Sequence, residues 1–255
     1  MDWIAIGSGF AVGCIVGLTG VGGGSLMTPL LIGAFRLPAP VAIGTDLWFA
    51  ALTKAGGTLA HHRLGTVDRR ITAWLLAGSL PSSVAVVAWM HAGGAGKWSH
   101  GTMTVALGIA LILTAAVLLV RPAWQALGLR LERVLHGRRR DAATLACGVL
   151  LGVLVTLSSV GAGAIGATLI VLLYPRLPVA RVVGTDIAHA VPLTFVAGIG
   201  HASLGHVDWI LLGSLLIGSL PGIWLGARLA SALPDRLVRT ALCVSLVTAG
   251  VKVIG

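Results

Sequence analysis

The sequence predicts an all-α membrane protein of about ten transmembrane segments, folded as two five-segment repeats that insert in opposite orientations. Three observations carry that prediction: the hydropathy of the chain, a repeat at a constant offset, and the partition of its basic residues. Of 255 residues, 56% are hydrophobic and 10% are charged. The mean hydropathy of +0.97 leaves too little polar surface to coat a soluble globule. Residues 36–81 recur at 176–221 with an offset of 140: Arg36-Leu37-Pro38 falls on Arg176-Leu177-Pro178, Gly44-Thr45-Asp46 on Gly184-Thr185-Asp186, His61 on His201, and Gly78-Ser79-Leu80-Pro81 on Gly218-Ser219-Leu220-Pro221. Upstream the offset is 139, pairing Gly13, Leu18, Val21, Gly22 and Gly24 with Gly152, Leu157, Val160, Gly161 and Gly163. Chance does not place so many Gly, Pro, Asp and His residues in register, so the gene was duplicated.

Orientation follows from charge. Five crossings per half with an external N-terminus put 14 of the 18 Lys and Arg residues on the cytoplasmic side, Arg36, Lys97 and Lys252 outside, and Lys54 within the membrane. Four crossings per half would make the halves parallel and lower the split to 10 against 7. The repeat records the inversion in one loop: Arg63, Arg69 and Arg70 correspond to Ser203, Trp209 and Ile210. The expected organisation is a first repeat over 1–120, a basic cytoplasmic linker over 121–140 and a second repeat over 141–255, in the inner membrane with both termini periplasmic. The net charge of +10 is then mostly an orientation signal rather than a nucleic-acid footprint. The linker, with Arg121, Arg130, Arg133 and Arg138 to Arg140, is expected to touch anionic lipid headgroups.

Taken in order, the expected segments are 3–20, 23–35, 41–60, 71–91, 101–120, 142–159, 163–174, 182–200, 209–227 and 237–254. Most approach the roughly 20 residues a helix needs to cross about 30 Å of hydrocarbon. The first has Asp2 and no basic residue before its apolar run, so it lacks the charge pattern of a cleavable signal and is expected to be retained. Segments 23–35 and 163–174 are short, and each follows a glycine-rich run, Gly20 to Ser25 and Ser158 to Gly163. Such a break can dip into the membrane and present amide N–H groups to an anion, or it can simply let helices pack closely. Gly22, Gly23, Gly24, Ser25, Gly161 and Gly163 are therefore candidate substrate contacts.

Segments three and eight carry the costly polar residues. Asp46 and Asp186 sit a few residues into them, where Thr45-Asp46 and Thr185-Asp186 could cap a helix start or, for the carboxylates, carry a proton across hydrocarbon. His189 lies three residues beyond Asp186 on the same face and could relay protons, with Phe49 at the matching place in the first half. Asp46, Asp186 and His189 are the candidate proton-coupling groups. Lys54 stands about two-thirds along segment three, where it either snorkels to the cytoplasmic edge or meets an aspartate or a bound anion. Asp46, about 12 Å along the same helix, is a poor direct partner. Pro81 and Pro221 fall mid-segment in the fourth and ninth segments and are expected to kink them. His61, His62, His201 and His206 lie near segment ends and are expected at the interface. Cys14, Cys147 and Cys243 are expected to pack as small apolar residues. No nucleophile–base pair, phosphate loop, metal cluster or cofactor motif is visible, which argues against an enzyme.

These residues resemble a known family, the sulfite exporter TauE/SafE family of membrane transporters. The resemblance rests on Gly20-Val-Gly-Gly-Gly-Ser-Leu-Met-Thr-Pro29, Ala42-Ile-Gly-Thr45, Gly65-Thr-Val-Asp68 and their second-half echoes, and covers nearly the whole chain. It implies a transporter of small sulfur-containing or organic anions, such as sulfite and sulfoacetate-like compounds, and points to Gly22, Gly23, Gly24 and Thr45. The sequence departs from many members in reading Gly-Thr-Asp rather than Gly-Thr-Ser at Asp46. The expected function is secondary active transport of such an anion, with substrate contacts at the glycine breaks, Thr45, Thr185 and Lys54, and with protons as the candidate coupling ion. An uncoupled, channel-like permease on the same scaffold is the alternative, and a homo-oligomer is compatible with either.

Overall fold

The computed structural model describes residues 3–19, 24–94 and 100–229, with isolated helical positions at 244, 247, 248 and 251. Among these, ten α-helices and one π turn, and no strand, make up the fold. They are α1 (Trp3–Thr19), α2 (Gly24–Gly33), α3 (Ala39–Arg63), α4 (Arg69–Trp89, continued by the π turn Met90–Gly94), α5 (His100–Leu119), α6 (Arg121–Leu131), α7 (Arg138–Ser158), α8 (Ala164–Leu173), α9 (Val179–Ser203) and α10 (Trp209–Leu229). Nine of the expected segments coincide with helices, and the last, 237–254, lies outside the described residues apart from those isolated positions. Four helices, α4, α7, α9 and α10, are long and apolar enough to cross a membrane, and α1, α5 and α8 contain shorter apolar stretches. At 25 residues α3 is also long enough, but Asp46, Lys54, His61, His62 and Arg63 lower its hydropathy. Helix α6 was not expected: the linker begins with an 11-residue helix opened by a proline at its first turn. Arg130, Arg133, Arg138 and Arg139 are exposed, while Arg176 Nε donates to Glu132 Oε2 at 3.0 Å.

Helices α3 and α9 overrun their expected ends because their stop signals lie further out. Each closes on a glycine with left-handed backbone, Gly65 at φ 67 and Gly205 at φ 75. Behind each glycine an amide reaches back into the last turn, Thr66 N to His61 O at 3.1 Å and His206 N to His201 O at 2.9 Å. The next helix then starts on an aspartate. Asp68 Oδ1 accepts from the amides of Arg70 and Ile71, and Asp208 Oδ1 accepts from the amide of Leu211 at 3.0 Å. The repeated Leu-Gly-x-Val-Asp is therefore a helix stop joined to a helix start.

Contacts between the two repeats come in matched pairs. Helix α1 packs along α10, α7 packs along α4, and α3 lies against α9. A Cβ on Gly9 or Gly13 would collide with the α10 backbone at Leu215 and Ser219; one on Gly148 or Gly152 would collide with the α4 backbone at Leu75 and Ser79. Bare backbone is what lets these helices approach. Gly148→Val is expected to destabilise the protein by about 1–3 kcal/mol, the usual cost of overpacking. Gly213→Ala, where nothing lies within 4 Å of the added carbon, is expected to leave stability unchanged or slightly raised. Thermal unfolding of the solubilised variants checks both, and an unshifted Gly148→Val would refute the close approach.

Candidate transport site

The site is built on the seam between α3 and α9, which run antiparallel. Asp208 N, just beyond α9, donates to Thr45 Oγ1 at 3.0 Å. Further along, Trp48 Nε1 donates to Gly198 O at 3.0 Å and Thr58 Oγ1 to Ile187 O at 3.5 Å. At the other end Asp68 N, just beyond α3, donates to Thr185 Oγ1 at 3.0 Å. Residue numbers rise on one helix as they fall on the other. The end contacts are repeat equivalents of each other, so each half's threonine holds the loop that follows the other half's long helix. Gly44 and Gly184 make the same exchange, packing against His206 and Thr66 respectively. One end is fastened further: Arg181 Nη2 donates to Asp68 Oδ2 at 3.0 Å, whereas the first half has Val41 where the second has Arg181.

Between these ends lie the ionisable residues, all buried. Asp46 and His189 are 0% exposed, Asp186 4% and Lys54 8%. Asp46 Oδ2 accepts a hydrogen bond from Thr28 Oγ1 of α2, while its Oδ1 has no partner among the described residues. Lys54 does not snorkel to the edge: its Nζ donates to Ala162 O, inside the second glycine break. Its charge acts on Asp46, Asp186 and His189 together. Asp186 lies against Gly166 of α8, and its Oδ1 has no hydrogen-bond partner among the described residues. His189 Nε2 faces Ser79 Oγ of α4 at 2.9 Å, and its Nδ1 is likewise unpartnered. A buried polar atom without a partner is costly, and four of those so placed among the described residues, counting Ser159 Oγ, lie in this region, which makes it the candidate site.

The second break is described in full. Helix α7 ends at Ser158, Ser159 takes left-handed backbone at φ 57, Gly161 and Gly163 follow at φ 116 and φ 145, and α8 begins at Ala164. The Ser158 hydroxyl turns back into the break, donating to Leu154 O at 2.7 Å and accepting from Val160 N at 3.2 Å. Gly163, the residue before α8, provides no side-chain cap for the first amides of that helix. Of the first break, Gly22 and Gly23 lie outside the described residues, as does the side chain of Ser25; Gly24 is the first residue of α2.

The structure thus brings Lys54, Asp46, Asp186, His189 and the second break together. It sets Thr45 and Thr185 apart, at opposite ends of the seam, on the amides of Asp208 and Asp68. Neither threonine starts its own helix, since α3 begins at Ala39 and α9 at Val179. His201, expected at the interface, is instead fully buried, with Nε2 on Thr156 O at 2.9 Å. His206, in the loop after α9, is held below the usual histidine range by burial. Sequence reasoning passed over Thr28, Ser79 and Ser159; each lies within a repeated motif, but nothing local shows which hydroxyls reach the charged residues.

Comparison with known proteins points to membrane transporters. A model of the family described as "Sulfite exporter TauE/SafE" matches residues 5–253. The chain is 35% identical to the "Probable membrane transporter protein YjnA" of Bacillus subtilis (strain 168), over 96% of this chain and 97% of that protein. It is 25% identical to "Probable membrane transporter protein YdhB" of the same organism, over 94% and 95%. Against "Probable membrane transporter protein YunE", also of that organism, identity is 24% over 97% and 93%. No solved structure matches significantly.

Proposed function

Since the chain belongs to the sulfite exporter TauE/SafE family of membrane transporters, we propose that it is a secondary active transporter of a small anion, sulfite or sulfoacetate-like in class, moved across the inner membrane with protons as the coupling ion. The observation that carries this reading is Lys54, buried in the seam and held on the carbonyl of a glycine break, with unpaired atoms of Asp46, Asp186 and His189 around it. A lysine ammonium and uncapped helix amides are what an anion needs. Two carboxylates and one ammonium sum to one negative charge when ionised, which a single proton would neutralise in a medium where net charge is expensive. Gly161 and Gly163 serve the substrate in the second half, and Gly22, Gly23, Gly24 and Ser25 in the first by the repeat.

Proteoliposomes loaded with and without an imposed proton gradient test the coupling. Accumulation of labelled sulfite or sulfoacetate is expected only with the gradient. Equal rates in both would favour the uncoupled permease.

We place the halves in opposite orientations, with both termini periplasmic, and the antiparallel α3 and α9 support this reading. Helices equivalent in the repeat that lie antiparallel in matched contact are related by an axis across them, the arrangement of inverted-repeat transporters. A periplasmic reporter fused at residue 255 is expected to be active, and cytoplasmic activity there would overturn the inversion. The exposed arginines of the linker meet anionic headgroups in this arrangement.

A further inference from the structure

We propose that Ser159, Lys54 and the protonated carboxyl of Asp46 together bind one small oxyanion, so that the proton and the anion occupy a single shared site. The proposal rests on the proton-coupled anion reading above and specifies its site and its order. Asp46 Oδ1 and Ser159 Oγ are both buried, neither makes a well-aligned hydrogen bond among the described residues, and the serine hydroxyl lies within reach of that carboxyl as its available donor. The other Asp46 oxygen is already committed to Thr28, so only Oδ1 is open. The tandem serines divide their work: Ser158 bonds within the break, while Ser159 is held out by a left-handed backbone that a non-glycine residue rarely adopts. Three residues further, Ala162 O holds Lys54 Nζ. One short loop therefore carries both the hydroxyl within reach of Asp46 and the carbonyl that holds Lys54.

The sign of the coupling follows from charge. An ionised Asp46 repels an anion brought onto Ser159, whereas a protonated one replaces the repulsion with an O–H donor. Among the described residues, the groups that act on Asp46 are two hydroxyls and one ammonium. Helix α2 presents Thr28, the break presents Ser159, its own helix presents Lys54, and α10 is represented by the Asp208 amide on the neighbouring Thr45. Asp186 of α9 shares Lys54 with Asp46, from the level of the Thr58 turn of α3. The anion takes Lys54 from Ala162 O and is carried with its proton, which makes the pair symported.

Equilibrium binding of sulfoacetate to the full-length protein in detergent, at about pH 6 and about pH 8, tests this, with sulfite, which itself titrates in that range, measured for binding alone. Over that range sulfoacetate keeps its charge, because its carboxyl titrates near the ordinary value of about 4. Wild-type affinity is expected to fall by about tenfold or more between the two conditions. Asp46→Asn, locked in a neutral form, is expected to bind equally at both and as tightly as wild type does in acid. Ser159→Gly removes the hydroxyl while relieving the left-handed backbone, so it is expected to fold normally and to bind about fivefold more weakly at both, with the wild-type slope retained. An Asp46→Asn protein that keeps the wild-type slope overturns the shared site, and so does a Ser159→Gly protein with wild-type affinity. In either case proton-coupled transport through Asp186 and His189 would stand. Should Asp46→Asn fail to fold, the Ser159→Gly result decides alone. If neither anion binds wild type in either condition, the anion reading falls and the shared site falls with it.

Discussion

Asp186→Asn is expected to reduce gradient-driven uptake to background while leaving the protein inserted and monodisperse. The substitution removes the titrating oxygen with little change of shape, and Asp186 Oδ1 has no hydrogen-bond partner among the described residues to lose. Folding should therefore be spared even though the group is buried. Asp46→Asn is expected to lose coupled uptake as well, but to retain anion binding, because its amide can still accept from Thr28. Uptake into proteoliposomes measured across a range of external pH, with size-exclusion profiles as the folding control, checks both. Normal uptake in both variants with an intact pH dependence would make these aspartates structural and end the proton reading.

Lys54→Met is expected to weaken anion affinity by about tenfold or more, corresponding to roughly 1.4 kcal/mol or more. Methionine keeps most of the apolar stem and removes the ammonium. It also leaves Ala162 O without the donor it has in this structure, a loss that typically costs about 1–3 kcal/mol of stability. Binding and unfolding must therefore be measured on the same preparation, so that affinity is compared between folded populations. Lys54→Arg should recover only part of the affinity, because a planar guanidinium fits a tight site around one carbonyl less well than a compact ammonium. Unchanged affinity in Lys54→Met would remove Lys54 from the site. It would leave the residue as a tie between α3 and the second break.

Much of the candidate site was legible because burial of charge is written in composition. Asp46, Lys54, Asp186 and His189 stand out in apolar segments, and the structure does bury all four. The glycine breaks were legible for a similar reason: a run such as Gly161-Ala162-Gly163 has no helical use, and its glycines do take positive φ. The helix ends were less so. Segments three and eight are expected to stop before His61 and His201, yet α3 and α9 continue to Arg63 and Ser203. Polarity was taken as a boundary, whereas the helix continues until a glycine can adopt the left-handed conformation. His201 was misplaced for the same reason: it lies near the end of α9 and yet is covered by α7 through Thr156.

By itself the sequence determined the membrane class, the duplicated halves, the breaks and the set of buried charges, because each is a local matter of hydropathy, repetition or residue type. Tertiary structure alone decided the partners. That Lys54 meets a carbonyl 108 positions away, that Thr45 and Thr185 each hold the other half's loop, and that Ser159 rather than Ser158 turns its hydroxyl toward Asp46 all depend on which faces of distant helices are pressed together. Periodicity shows that a face is buried but not what it is buried against. That choice is made by close backbone approach at glycines and by pairing of hydrogen-bonding groups across the seam, and both exist only once the two halves have packed.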